Sequence, residues 1–159
     1  MTSDPAPTPV VRSAPDRPSL VQRLARILLG LALTAAGVGH LTVLREEFQA
    51  QVPPWLPLPV DLVVVGSGIV EITLGLGLIL LGRWSVWVGL AAALFFLAIF
   101  PGNIAQFTEG RDGFGLEDDV ARGIRLLFQP LLVVWALWSS GAWSAWRRYR
   151  AGRKRHARR

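Results

Sequence analysis

A carboxylate inside a long apolar run is the residue of this chain with the clearest chemical potential. Glu71 stands nine residues past Leu62 in the run LVVVGSGIVEITLGLGLILLG. At helical rise that is about 14 Å, near the middle of a hydrocarbon layer. Ser67, Gly68 and Gly75 lie four before, three before and four after it, on the same helical face. This stripe of small residues admits a neighbouring helix at close range. Two roles are open to Glu71: a packing carboxyl bonded to that neighbour, or an acid that carries protons or holds a ligand. His40, four residues before the end of another apolar run, divides in the same way, between a hydrogen-bonded structural residue and a proton-handling group.

Arg122, Arg125 and Gln129 are spaced i, i+3, i+7 and share an arc of about 60° on one helix. Two arginines entering a span from the outer side call for acidic partners, with Glu46, Glu47, Asp61, Glu117, Asp118 and Asp119 available. One reading is an interfacial salt-bridge network, with Arg45, Glu46, Asp61 and Arg122 as its outer-face members. In the other, His40, Glu71, Asn103, Gln106, Arg125 and Gln129 line one polar pocket at the outer mouth of the molecule. Pro130 removes a backbone donor beside Gln129 and is expected to kink its helix.

Four apolar runs must position these groups: Ile27–Leu44, Leu62–Gly82, Trp84–Phe100 and Leu126–Trp146. About 20 helical residues cross a bilayer, within a working range of about 17–25. A soluble helix keeps a polar back, whereas the third run is apolar around its whole circumference except for Ser85. The expected fold is therefore an all-α, integral membrane four-helix bundle. Between the spans, Arg45–Pro59 begins as a helical extension and turns rigid through its prolines, and Phe100–Asp119 forms a second outer loop.

Thirteen of the seventeen Lys and Arg residues fall in the two terminal tails and at Arg83, which places both termini and that short turn in the cytoplasm. Trp55, Trp84, Trp87, Trp143 and Trp146 mark the expected interfaces. Residues 1–19, rich in Pro, Ser, Thr and Ala, read as a disordered tail, 20–146 as the transmembrane domain, and 147–159 as a basic cytoplasmic tail. The long polar leader before Ile27 argues against a cleaved signal peptide. The reading is a multi-pass protein of the cytoplasmic membrane.

The net charge of +6 is concentrated at the C-terminus, in RRYRAGRKRHARR. Directly after a span, such a run is a topology signal and a contact for anionic lipid, and no nucleic-acid partner is expected. The absence of cysteine excludes thiol redox chemistry, iron–sulfur ligation and cysteine zinc sites. With only two histidines, His40 and His156, no metal or haem site is expected within one chain.

Several short motifs resemble the DoxX-like family of small four-helix membrane proteins. They are A-R-x-L-L-G (Ala25–Gly30), A-G-x-x-H (Ala36–His40), R-E-E-F-Q (Arg45–Gln49), V-P-x-W-L-P (Val52–Pro57), S-G-x-x-E (Ser67–Glu71), P-G-N-I-A-Q (Pro101–Gln106) and R-x-x-R-L-x-x-Q-P (Arg122–Pro130). The resemblance covers about residues 20–145 and rests on their order and spacing. It implies a four-helix membrane fold and an association with quinone-linked redox systems, oxidative-stress assemblies or secretory cargo. It implies no catalytic residue. Two functions are thus expected. The first is a quinone-binding or proton-handling accessory subunit of a membrane redox system, with quinone as its cofactor. The second is a non-enzymatic membrane partner, or a cargo or small-molecule transport helper, that docks a protein, a small molecule or a further copy of itself.

Overall fold

The computed structural model describes residues 18–111 and 119–156. Helix α1 spans Leu20–Leu41. It starts at a capping box in which the Ser19 hydroxyl accepts from the Gln22 amide and the Gln22 side chain accepts from the Ser19 amide. A short helix, α2 (Arg45–Gln49), opens the first loop. Pro53, Pro54, Pro57 and Pro59 then keep the chain out of helix until α3 begins, over Val60–Leu80. A 3₁₀ turn at Gly82–Trp84 leads into α4 (Ser85–Thr108), followed by α5 (Asp119–Ser139) and α6 (Ala142–His156). Among the described residues there is no strand.

Among the described residues three helical segments are long and apolar enough to cross a membrane: Leu20–Leu41, Val60–Leu80 and Gly82–Thr108. A fourth crossing is reached only if α5 and α6, bent by 68° at their junction, count as one span. Large apolar side chains such as Leu28, Leu31, Leu76, Leu94, Leu97 and Leu127 point away from the core. In water this surface is an aggregation liability, and in hydrocarbon it is solvated.

The closest helix contact joins α1 to α3 through glycine. A Cβ on Gly30 would stand 2.7 Å from the Gly75 carbonyl oxygen, and one on Gly37 would stand 2.6 Å from that of Gly68. The pairing runs 30 to 75 and 37 to 68, so the two helices are antiparallel. Helix α5 packs antiparallel on α1, with Trp135 Nε1 donating to Ala25 O at 3.0 Å and Gln22 Nε2 to Trp138 O at 3.1 Å. It also packs antiparallel on α4, where Ser85 Oγ donates to Ser140 O at 3.1 Å and Gln129 Nε2 to Phe96 O at 2.7 Å. The main apolar core, around Leu29, Leu33, Leu78, Phe96 and Ala136, lies between these helices. His40, Asp61, Thr108 and Arg125 thereby share one end of the molecule, and Arg23, Arg26, Gly82 and Ser140 share the other.

Two elements differ from the sequence expectation. The third span does not stop at Phe100; α4 runs through Pro101 to Thr108. Its added turns bury Gly102, Asn103, Ala105 and Gln106 along one side, and the Gln51 backbone carbonyl lies where a Cβ of Gly102 would be. Packing against the first loop thus outweighs the one backbone donor that proline removes. The fourth run, read as a single span to Trp146, is instead broken after Ser139. Gly141 adopts φ 80, a left-handed conformation that ends a helix and turns the chain. Pro130, by contrast, lies within an unbroken α5. The N-terminal tail up to residue 17, Glu117 and Asp118 lie outside the described residues.

Candidate functional site

The α1–α3 contact sets the first half of the site. Because Gly68 has no side chain, α1 approaches until His40 Cβ lies where a Cβ of Gly68 would be, at 2.6 Å. The His40 ring is thereby pressed against α3. Its Nδ1 lies 3.1 Å from the Val64 carbonyl oxygen and 3.1 Å from Ser67 Oγ, while Ser67 Oγ itself donates to Val64 O at 2.9 Å. A carbonyl oxygen only accepts, so Nδ1 carries the hydrogen. The other ring nitrogen, Nε2, faces Glu71 Oε2 at 3.3 Å, and both side chains are buried. The ring's face is covered by Phe48 of α2, stacked at 3.4 Å between centroids and 21° between planes.

With Nδ1 committed to Val64, the Nε2–Oε2 contact is favourable when a proton lies between the two atoms, on either one. A lone pair facing a carboxylate would repel it. The pair therefore has the makings of a proton store. Arg125 adds positive charge within Coulombic range of both Glu71 and His40.

A second backbone carbonyl orders the opposite wall. Phe96 O accepts from Gln129 Nε2 at 2.7 Å, which turns Gln129 Oε1 toward Asn103, whose Nδ2 donates to it at 3.0 Å. The amide orientations follow from this chain, and Asn103 Oδ1 is left buried with no hydrogen-bond partner. Gln51 Nε2, from the first loop, is likewise buried and unpartnered.

These groups surround one cavity of about 690 Å³ between α1, α3, α4, α5 and the first loop. Leu29, Leu33, Phe96, Phe128 and Leu132 supply apolar walls, and Trp55 and Pro53 stand among the loop residues that border it. Of the six residues expected to form a polar pocket, His40, Glu71, Asn103, Arg125 and Gln129 line this cavity. Gln106 does not: it is buried on the α4 extension, and its Nε2 donates to Arg111 O at 3.4 Å. Its work is to hold a turn whose Arg111 side chain donates from Nη1 to Val52 O at 2.6 Å, fastening the first loop across this end of the molecule.

The salt-bridge candidates separate. Arg45 and Asp61 form a two-pronged pair, with Arg45 Nε donating to Asp61 Oδ1 at 2.6 Å and Nη2 donating to Oδ2, which ties α2 to the start of α3. The Asp61 hydrogen bonds hold the Arg45 guanidinium pKa above its ordinary value. Glu46 is exposed and in no ion pair among the described residues. Arg122 is buried on α5 but does not line the cavity. Among the described residues no group of three or more His, Asp or Glu side chains is placed to hold a metal ion.

Phe48 and Gln51 were not among the residues singled out from sequence. Phe48 follows the three charges of R-E-E-F-Q, where one apolar side chain in a short polar helix signals a buried face. Gln51 sits in a proline-rich loop with no periodicity to mark it.

No curated protein and no solved structure matches the chain. A domain of unknown function, DUF8561, matches residues 29–140, and every residue that lines the cavity falls in that range. The chain belongs to the DUF8561 family.

Proposed function

We propose that this protein is a four-helix membrane subunit that binds a quinone in the cavity and exchanges protons with it through His40 and Glu71. The observation that carries the reading is the pairing of an apolar cavity with two buried, unpartnered amide atoms of opposite character. Gln51 Nε2 is a donor without an acceptor, and Asn103 Oδ1 is an acceptor without a donor. A ligand with an apolar body and a head group able both to accept and to donate answers both. Of the head groups that do so, the quinone–quinol couple also uses a proton source, which His40 and Glu71 provide. A bound quinone supplies two-electron, two-proton chemistry that this chain's own side chains lack. Gln51 orients the oxidised head group by donation, Asn103 accepts from the reduced one, and Arg125 offsets negative charge that develops on it. The His40–Glu71 pair holds one proton in an apolar setting, ready to pass it across the cavity wall.

The motif resemblance to DoxX-like proteins supports the same reading and its placement in the cytoplasmic membrane. The positive-inside count supports cytoplasmic termini, with the cavity opening toward the outer face. Electrons come from a partner, so the chain acts as an accessory subunit rather than as an enzyme alone.

The experiment is purification in mild detergent, extraction of bound quinone, and titration of the stripped protein with a short-chain quinone. It is run beside measurements of quinone-dependent respiration in a deletion strain. Saturable binding weakened by Asn103→Leu is expected, with quinone-dependent respiration lost in Glu71→Gln. No binding together with unchanged respiration would overturn the proposal.

A further inference from the structure

The end of the molecule opposite the cavity carries a second recess, of about 440 Å³, lined by Pro18, Arg23, Arg26, Gly82, Ser85 and Ser139. Its chemistry is cationic. Arg23 and Arg26 stand one turn apart on α1 and lie within Coulombic range of each other. Among the described residues neither is in an ion pair. The described acid side chains, Glu46, Glu47, Asp61, Glu71 and Glu109, lie at the cavity end or at mid-helix. Gly82 keeps the turn bare beside Arg26: a Cβ there would stand 3.5 Å from both terminal guanidinium nitrogens. The same turn opens α4, a helix of 24 residues whose N-terminus has no side-chain cap. The Trp84 and Ser85 amides are already engaged by the turn, donating to Leu81 O and Gly82 O, so what α4 brings to the recess is the positive end of its dipole.

An independent observation points to an occupant. Ser139 is 1% exposed, and its hydroxyl has no hydrogen-bond partner. Its neighbours are satisfied: Ser85 Oγ donates to Ser140 O at 3.1 Å and Ser140 Oγ to Leu137 O at 3.4 Å. A buried donor left unmade is costly and uncommon. Two guanidinium groups without a counter-charge among the described residues and an unpartnered buried hydroxyl, at the positive end of a helix dipole, form a donor set suited to a tetrahedral oxyanion.

We infer that this recess binds a phosphate group, supplied by the head group of an anionic phospholipid. The setting favours lipid over solution. The recess lies where the long apolar helices end. Beside it α6 exposes Trp143 and Trp146, with Arg150 set 4.8 Å over the Trp146 ring, a combination suited to a membrane interface. The head-group phosphate accepts from Arg23 and Arg26 and takes the Ser139 hydrogen, while the acyl chains continue along the lipid-facing helices.

The test is native mass spectrometry of the full-length protein in mild detergent, titrated separately with phosphatidylglycerol, phosphatidylcholine and inorganic phosphate. Phosphatidylglycerol is expected to bind more tightly than phosphatidylcholine. R23Q/R26Q is expected to weaken it by at least about tenfold, the scale of a lost charged hydrogen bond. Ser139→Ala is expected to weaken it severalfold without lowering the thermal midpoint of the lipid-free protein, since it removes an unsatisfied hydroxyl. This variant carries the test if the double arginine variant does not accumulate. R150Q/R153Q, on α6, controls for general attraction to the basic tail and is expected to change little. Inorganic phosphate binding as tightly, with the same dependence on Arg23, Arg26 and Ser139, would overturn the lipid source and keep the phosphate site. Phosphatidylglycerol affinity indifferent to both R23Q/R26Q and Ser139→Ala, or lost equally in R150Q/R153Q, would overturn the site itself.

Discussion

His40 Nδ1 lies 3.1 Å from the Val64 carbonyl oxygen, and this contact decides what His40 Nε2 can offer Glu71. Without it the ring would be free to place its single hydrogen on either nitrogen. With it the hydrogen is held on the α3 side, and Nε2 is reserved for the carboxyl 3.3 Å away. A backbone carbonyl thus sets the proton chemistry of a side chain on another helix. The close approach that brings them together depends on Gly68.

The tautomer is directly testable. In lipid, ¹⁵N spectra of histidine-labelled protein should show neutral His40 with its hydrogen on Nδ1. Only two histidines exist, so His156→Ala assigns the signals. A neutral ring protonated on Nε2 would contradict the geometry.

Glycines at the α1–α3 contact should be intolerant, and one beside it should not. Gly37→Ala and Gly68→Ala each place a methyl group 2.6 Å from another atom, against backbone in the first case and His40 Cβ in the second. Overpacking of this kind costs about 1–3 kcal/mol. Gly66, on the same helix, has nothing within 4 Å of its would-be Cβ. Gly66→Ala should be neutral or mildly stabilising, by up to about 1 kcal/mol through helix propensity. Thermal unfolding in detergent distinguishes the three, and equal midpoints would show that the helices are not in such close contact.

The bend between α5 and α6 should depend on Gly141. At φ 80 an alanine is strained by about 1–2 kcal/mol. Gly141→Ala should therefore either lower the unfolding midpoint or extend α5 into α6. The distance between spin labels at exposed sites on α1 and at Tyr149 would report the second outcome. An unchanged midpoint with an unchanged distance would mean that the bend does not rest on this glycine.

The spacing around Glu71 made much of this arrangement legible, because a small-residue face on a helix has few uses besides receiving another helix. Of the polar residues at the cavity, His40, Glu71 and Gln129 are out of place in an apolar run, which is a property of sequence alone. What sequence hid has a common cause, namely local signals overruled by tertiary contact. The apolar run ends at Phe100, yet the packing of Gly102 on the Gln51 carbonyl carries α4 onward. The apolar run through Trp146 reads as one span, although Ser139, Ser140 and Gly141 interrupt it at a bend. Gln106 has the composition of a pocket residue and the position of a loop clamp.

The role of Glu71 turns on whether its charge or only its shape is needed. Glu71→Gln keeps size and hydrogen-bonding capacity but cannot release a proton, and its amide can still donate to or accept from His40 Nε2. If Glu71 only packs α3 against α1, this variant should preserve both fold and function. Glu71→Leu should then destabilise by about 1–3 kcal/mol, since His40 Nε2 would be buried without a partner. If the His40–Glu71 pair passes protons, Glu71→Gln should abolish function while the protein accumulates in the membrane at its normal level. Growth under oxidative stress and quinone-dependent respiration in a complemented deletion strain, beside immunoblots of membrane fractions, separate the cases. Full complementation by Glu71→Gln would sink the proton-handling role. Quinone affinity retained in the same variant would then leave Gln51, Asn103 and Arg125 as a binding site without proton exchange.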